Sequence, residues 1–174
     1  VCVGDAVIVS GNLGDHHAAI LGTRMGIANE IKSDNAPLGE IVEALFAAGV
    51  DVHTMRDITR GGLATVLKEL AKTSNTTIEL EEEKLPVTPQ VKDFCGLLGL
   101  DPLYMGNEGK LVALVPANQA KKAVEAIRGA KYGEDACIVG YVNDKAPGKL
   151  HIRTRIGGLR NLEILQGEGL PRIC

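Results

Sequence analysis

The sequence predicts an α/β fold, a layered mixed β-sheet packed with helices over residues 1–165, followed by a mobile cysteine-bearing tail at 166–174. Short apolar runs bounded by glycine turns alternate with stretches whose apolar residues recur at helical spacing, the pattern of strands sharing layers with helices. Two strand-like runs then follow one another, "ACIVGYV" and "KLHIRTR", so part of the sheet is expected to be antiparallel. With 174 residues, 45% of them apolar, the chain is long enough to bury one core without disulfides or metal.

Each element has its own signal. "DAVIVSG" (5–11) is an apolar run closed by glycine, and "DHHAAILGTRMGIANEI" (15–31) after it has helical spacing. "SDNAPLGEIVEALFAAG" (33–49) predicts a helix with Ser33, Asp34 or Asn35 as cap, Pro37 in the first turn and Gly49 as the stop. Its buried face would be Leu38, Ile41, Val42, Leu45 and Phe46. An apolar segment at 50–54 leads into "MRDITRGG" (55–62), after which Leu63, Val66, Leu67 and Leu70 mark another helix. "TTIELE" (76–81) alternates as a strand, and Thr88 before Pro89 starts a helix with Val91, Phe94, Cys95 and Leu98 inward. "DPLYMGNEG" reads as an irregular connection, then come a strand at 110–115, a helix at 118–128, strands at 136–142 and 149–155, and finally loop and tail.

Composition excludes several function classes. The net charge is −3 with no basic block, which argues against a nucleic-acid partner. The longest apolar stretch, "LVALV" at 111–115, is far short of a spanning helix, so no membrane is expected and the cytoplasm is the expected location. The opening "VCVGDAVIVSG" begins without methionine and reads as a strand in mid-flow, which suggests a piece of something longer. Cys2, Cys95, Cys137 and Cys174 form no C-x-x-C pair and no metal-spacing pattern, so no metal site is predicted and reduced thiols are expected. Cys95 and Cys137 lie in apolar patterns and are expected to be buried and inert.

Three stretches carry candidate chemistry. "RDITRGG" places Asp57, Thr59, Arg60, Gly61 and Gly62 in a turn that opens a helix, where backbone N–H groups and an arginine suit a phosphate; an ordinary capped turn explains the pattern equally well. "GNEGK" sets Glu108 between Asn107 and Gly109, a placement that suits a general base or metal ligand, although solvated loop carboxylates are commoner. His16 and His17 follow Asp15 at a helix start, where capping and partial exposure account for them. Cys174 ends "QGEGLPRIC" on a segment that extends over at most roughly 30 Å, where a thiolate can meet an electrophile.

Together "GDHHAAI", "SDNAPL", "MRDITRGGLATVLKE", "LGLDPLYMGNEGKLVA" and the terminal "PRIC" resemble the C-terminal domain of the HypE family, hydrogenase-maturation carbamoyl dehydratases with an aminoimidazole ribonucleotide synthetase-like fold. The middle motifs are shared more loosely with aminoimidazole ribonucleotide and selenophosphate synthetases. The resemblance implies that Cys174 carries a carboxamide loaded by the carbamoyltransferase HypF, and that ATP drives its dehydration to a thiocyanate with Glu108 as base. The cyano group would pass to iron on the HypC–HypD complex. By the same resemblance Asp57, Thr59, Arg60, Gly61, Gly62 and Asn107 help line the phosphate end of the site. Most ATP and magnesium ligands, and the homodimer contact, are implied to lie in an N-terminal domain, so the chain alone is expected to be inactive. The rival readings are a synthetase acting on a diffusible substrate and a non-catalytic docking module.

Overall fold

The computed structural model describes residues 1–165. Its elements run β1 (Asp5–Val9), α1 (Asp15–Met25), α2 (Gly39–Ala47), β2 (Thr54–Asp57), α3 (Gly62–Ser74), β3 (Thr77–Glu81), α4 (Pro89–Leu98), β4 (Leu111–Pro116), α5 (Ala120–Gly129), β5 (Cys137–Asn143), β6 (Leu150–Arg153) and β7 (Leu159–Leu162). The strands form one sheet in the order β2-β4-β1-β5-β3-β6-β7. Only β3 and β6 pair in parallel among these neighbours; the others are antiparallel.

The centre of the sheet is covered on both faces, which explains why β1 and β4 are apolar without a break. Side chains alternate between faces along a strand. Val7 and Val9 of β1, with Val112 and Leu114 of β4, therefore enter the layer under α3, where Leu63, Val66 and Leu67 meet Ile78, Leu80 and Ile152. Ala6 and Ile8, with Leu111, Ala113 and Val115, enter the opposite layer, where Ile41 and Leu45 of α2 pack with Val124 and Ile127 of α5. A smaller cluster joins α1 to α4 through Ala18, Leu21, Val91, Phe94, Cys95 and Met105. Thr88 caps α4 as expected, its hydroxyl accepting from Val91 N–H at 3.3 Å. Among the described residues no helix is long and apolar enough to cross a membrane.

Several boundaries differ from the sequence reading, each for a local reason. The helix expected to reach residue 31 stops at Met25 because Gly26 turns left-handed with φ 67°. Ile27 N–H then reaches back to Gly22 O at 2.9 Å and closes the end. The second helix begins at Gly39 rather than near Ser33, since Pro37 disfavours helical geometry in the residue before it. Ser33 and Asp34 consequently cap no helix: Ser33 Oγ lies 2.8 Å from His16 Nδ1, and Asp34 binds the backbone of another loop. Phe46, assigned to the buried face, is 61% exposed, whereas Ile41 and Leu45 are fully enclosed. A strand not foreseen in "MRDITRGG" forms at 54–57, where the apolar segment at 50–54 runs into that motif, and β7 forms where only loop was expected. Cys95 is buried, and burial with the charge of Asp101 pushes its thiol up to about 11. Cys137 is only half-buried, and Cys2 is exposed.

The exposure difference within α2 predicts opposite outcomes for neighbouring truncations. Leu45→Ala removes a fully enclosed side chain and should cost about 2–5 kcal/mol in urea unfolding, whereas Phe46→Ala should cost under about 0.5 kcal/mol. Equal losses would mean that Phe46 is covered in solution.

Candidate functional site

The strand directions decide which loops meet. β1 runs antiparallel to β4 and β5, and β2 runs antiparallel to β4. The loops after β1 and β2 and those before β4 and β5 therefore share one end of the sheet. "GNLGDHH", "RDITRGG" and "GNEGK", distant in sequence, come together there.

A buried amide joins them. Asn107 is 0% exposed, its Oδ1 accepts from Gly14 N–H at 2.9 Å, and its Nδ2 donates to Ile58 O at 3.0 Å and to Met105 O at 3.1 Å. Its own N–H also donates to Ile58 O at 3.0 Å. The side chain thus ties the start of α1 and the turn after β2 to its own loop, and its hydrogen-bonding groups are engaged by backbone. This gives Asn107 a positioning geometry at the end of the sheet where the resemblance sets the phosphate.

Two glycines allow the packing. A Cβ on Gly62 would lie 2.4 Å from Leu103 O, and the residue also has φ 66°. A Cβ on Gly109 would lie 2.0 Å from Asp34 O, because the irregular segment before α2 crosses this loop. Through that crossing Asp34 Oδ1 accepts from Glu108 N–H at 3.0 Å. Glu108 itself is exposed at the rim.

The turn after β2 is organised as an anion-compatible helix start. Gly61 has φ 80° and caps α3 with no side-chain hydrogen bond, leaving the first-turn N–H groups without a side-chain acceptor. Asp57 accepts from Thr59 Oγ1 at 2.9 Å, which stiffens the turn, and Arg60 is exposed. Cys174 lies outside the described residues.

The sequence reading missed how His17, Asp15 and Asp34 take part. His17 is 4% exposed rather than partly exposed, and its Nδ1 accepts from Gly106 N–H at 3.3 Å. The ring proton is therefore assigned to Nε2, which is buried without a hydrogen-bond partner. Burial, with a smaller push from His16, lowers its pKa to about 4. Asp15 is raised by burial and by Asp34, against the opposing pull of Lys110. The "GDHH" and "SDNAP" motifs held these residues, but nothing in their spacing marks them as neighbours of Glu108.

A family model described as AIR synthase related protein, C-terminal domain, matches residues 3–153. The chain belongs to that family. It is 44% identical over 173 residues to the carbamoyl dehydratase HypE of Rhodobacter capsulatus, covering 98% of this chain and 51% of that protein. It superimposes on a crystal structure of the hydrogenase maturation protein HypE in complex with ATP with a TM-score of 0.94 at 40% identity, covering all of this chain and 54% of that one. A HypE–HypF complex matches with a TM-score of 0.89 at 40% identity, covering 95% of this chain and 54% of that one. The chain thus spans about half the length of the curated relatives it matches.

Two outcomes test this geometry. Asn107→Asp keeps an acceptor for Gly14 N–H but points a carboxylate at two carbonyl oxygens, and Asn107→Ala takes the side-chain partner from Gly14 N–H and Met105 O, while Ile58 O keeps the Asn107 main-chain N–H. Both should cost about 2–4 kcal/mol in urea unfolding. A loss below about 0.5 kcal/mol for Asn107→Ala would show that the amide is not the tie.

For His17, the folded pKa of about 4 lies below the ordinary 6.5, so the unfolded chain takes up a proton first. The contribution is complete above pH 6.5 and is lost as pH falls through the window from 6.5 to about 4. His17→Gln should flatten that part of the urea-midpoint profile. An unchanged slope would place the proton uptake elsewhere.

Proposed function

We propose that this chain is the C-terminal part of an ATP-dependent carbamoyl dehydratase of [NiFe] hydrogenase maturation, acting on a carboxamide carried by its own Cys174. The observation that carries this reading is the meeting of exposed Glu108 with the turn at 57–62 at one end of the sheet. Its support is the similarity of nearly the whole chain to carbamoyl dehydratase HypE and to a hydrogenase maturation protein HypE solved in complex with ATP.

The residues suit their parts. An amide oxygen is a poor leaving group, but once phosphorylated it departs as phosphate while an N–H proton is lost and the C≡N bond forms. Glu108 would take that proton, a role its exposed carboxylate and its backbone bond to Asp34 support. The uncapped start of α3 and Arg60 suit the anionic end of ATP, and the Asp57–Thr59 contact keeps that turn in shape. On the family resemblance, magnesium, most ATP contacts and the homodimer interface are assigned to the N-terminal domain of the longer protein. HypF would load the thiol, the HypC–HypD complex would receive the cyano group, and the cytoplasm would be the location.

The test uses the chain joined to its N-terminal domain, with HypF, carbamoyl phosphate and ATP, and follows the tail by mass spectrometry. Glu108→Gln should still load Cys174 but lose water at a rate lowered by about 100-fold or more. Cys174→Ala should abolish loading. Dehydration of Glu108→Gln at the wild-type rate would move the base to another residue, and a wild-type chain that HypF never loads would favour the docking reading.

A further inference from the structure

The opposite end of the sheet carries a second constellation. Cys2, Asp5 and His53 offer a sulfur, a carboxylate oxygen and a ring nitrogen that all lie within 4.8 Å of one another. We propose that these three side chains form a binding site for a borderline divalent cation of the zinc class, separate from the Glu108 end.

The site is built around a buried charge. Asp5 is 2% exposed at the first position of β1, and its Oδ1 lies 2.8 Å from His53 Nδ1. Its Oδ2 accepts from Cys2 N–H at 2.8 Å, while Asp5 N–H donates back to Cys2 O at 3.1 Å. Cys2 to Asp5 is therefore a turn closed from both sides, and Gly4 supplies the positive φ of 93° inside it. Further bonds from Gly4 N–H to Val142 O and from Ala117 N–H to Gly4 O anchor the turn to β5 and to the end of β4. His53 is fixed by its own N–H to Leu114 O at 3.0 Å. The donors thus stand on anchored backbone, with Cys2 exposed and accessible from solvent.

The donor types select the ion. Thiolate and imidazole favour zinc and its neighbours over magnesium or calcium, which take oxygen. Three protein ligands with a fourth position for water is a recurrent zinc arrangement. On binding, the thiol gives its proton to solvent, and a neutral ring with Nδ1 on the ion carries its one proton on Nε2. One thiolate and one carboxylate then balance the two charges of the ion. Asp51 Oδ2 already lies 3.5 Å from His53 Nε2, beyond the ring from Asp5. A carboxylate on the other nitrogen of a ligating histidine is how such rings are commonly oriented. The ligand edges of a tetrahedral zinc site are roughly 3.3–3.8 Å, so the Asp5–His53 contact at 2.8 Å opens by about 0.5 Å and the Cys2 sulfur, within 4.8 Å of both, turns in to the ion.

The test titrates the full chain, freed of metal with EDTA and desalted, with cobalt(II) chloride and with zinc chloride. One equivalent of cobalt should give the intense visible bands of a tetrahedral site and a near-ultraviolet thiolate-to-cobalt band, both removed by zinc. Cys2→Ser should abolish the thiolate band, and His53→Gln should weaken binding at least as much as Asp51→Asn, about 10–100-fold. Because these three positions are solvent-accessible, the result does not depend on whether Asp5→Asn folds. Cys174→Ala should leave the spectrum unchanged. A thiolate band that survives Cys2→Ser, affinities equal across the variants, or only the weak bands of six-coordinate cobalt would each overturn the site.

Discussion

The arrangement of the Glu108 end depends on one fully buried amide. Asn107 donates to Ile58 and Met105 and accepts from Gly14, which is 93 residues away in sequence. A buried polar group without a partner is costly, so these loops are held in the one geometry that pairs them. The close approaches at Gly62 and Gly109 follow from the same requirement, because loops drawn to a common point leave no room for a side chain where they cross.

From that tie the site's electrostatics follow. Pulling the start of α1 inward buries His17 and keeps it neutral, while burial and the nearby Asp34 raise Asp15. Lys110, next after Gly109, partly offsets them. Glu108 remains at the rim with its backbone secured by Asp34, a placement that leaves its side chain exposed. The sheet then separates this end from the Cys2–Asp5–His53 group, since β1 begins at one and ends at the other.

Elements governed by local chemistry were legible in the sequence. The Thr88–Pro89 start of α4, the apolar face of α3 and the unbroken apolar runs of β1 and β4 appear where they were read. Residues 26–31 and the turn around Pro37 were read as helix because their composition permits one; the left-handed turn at Gly26 and the crossing of this segment over the Glu108 loop prevent it. β7 is four residues with three exposed side chains, and it exists through pairing with β6 rather than any periodicity of its own. Phe46 looked inward because helical spacing alone cannot say how wide the buried stripe is.

The sequence by itself determined the fold class, the family resemblance and the motifs that hold the chemistry, because hydrophobic period, caps and turn residues act over a few positions. Only the tertiary structure decided which residues meet. Asn107 became a buried tie between three loops, His17 became a buried neutral ring, and Cys2 and Asp5 acquired His53 from about fifty residues away. Each outcome rests on a pairing across the sheet, whose strand order is set by burial of both faces at once and cannot be read from spacing along one strand.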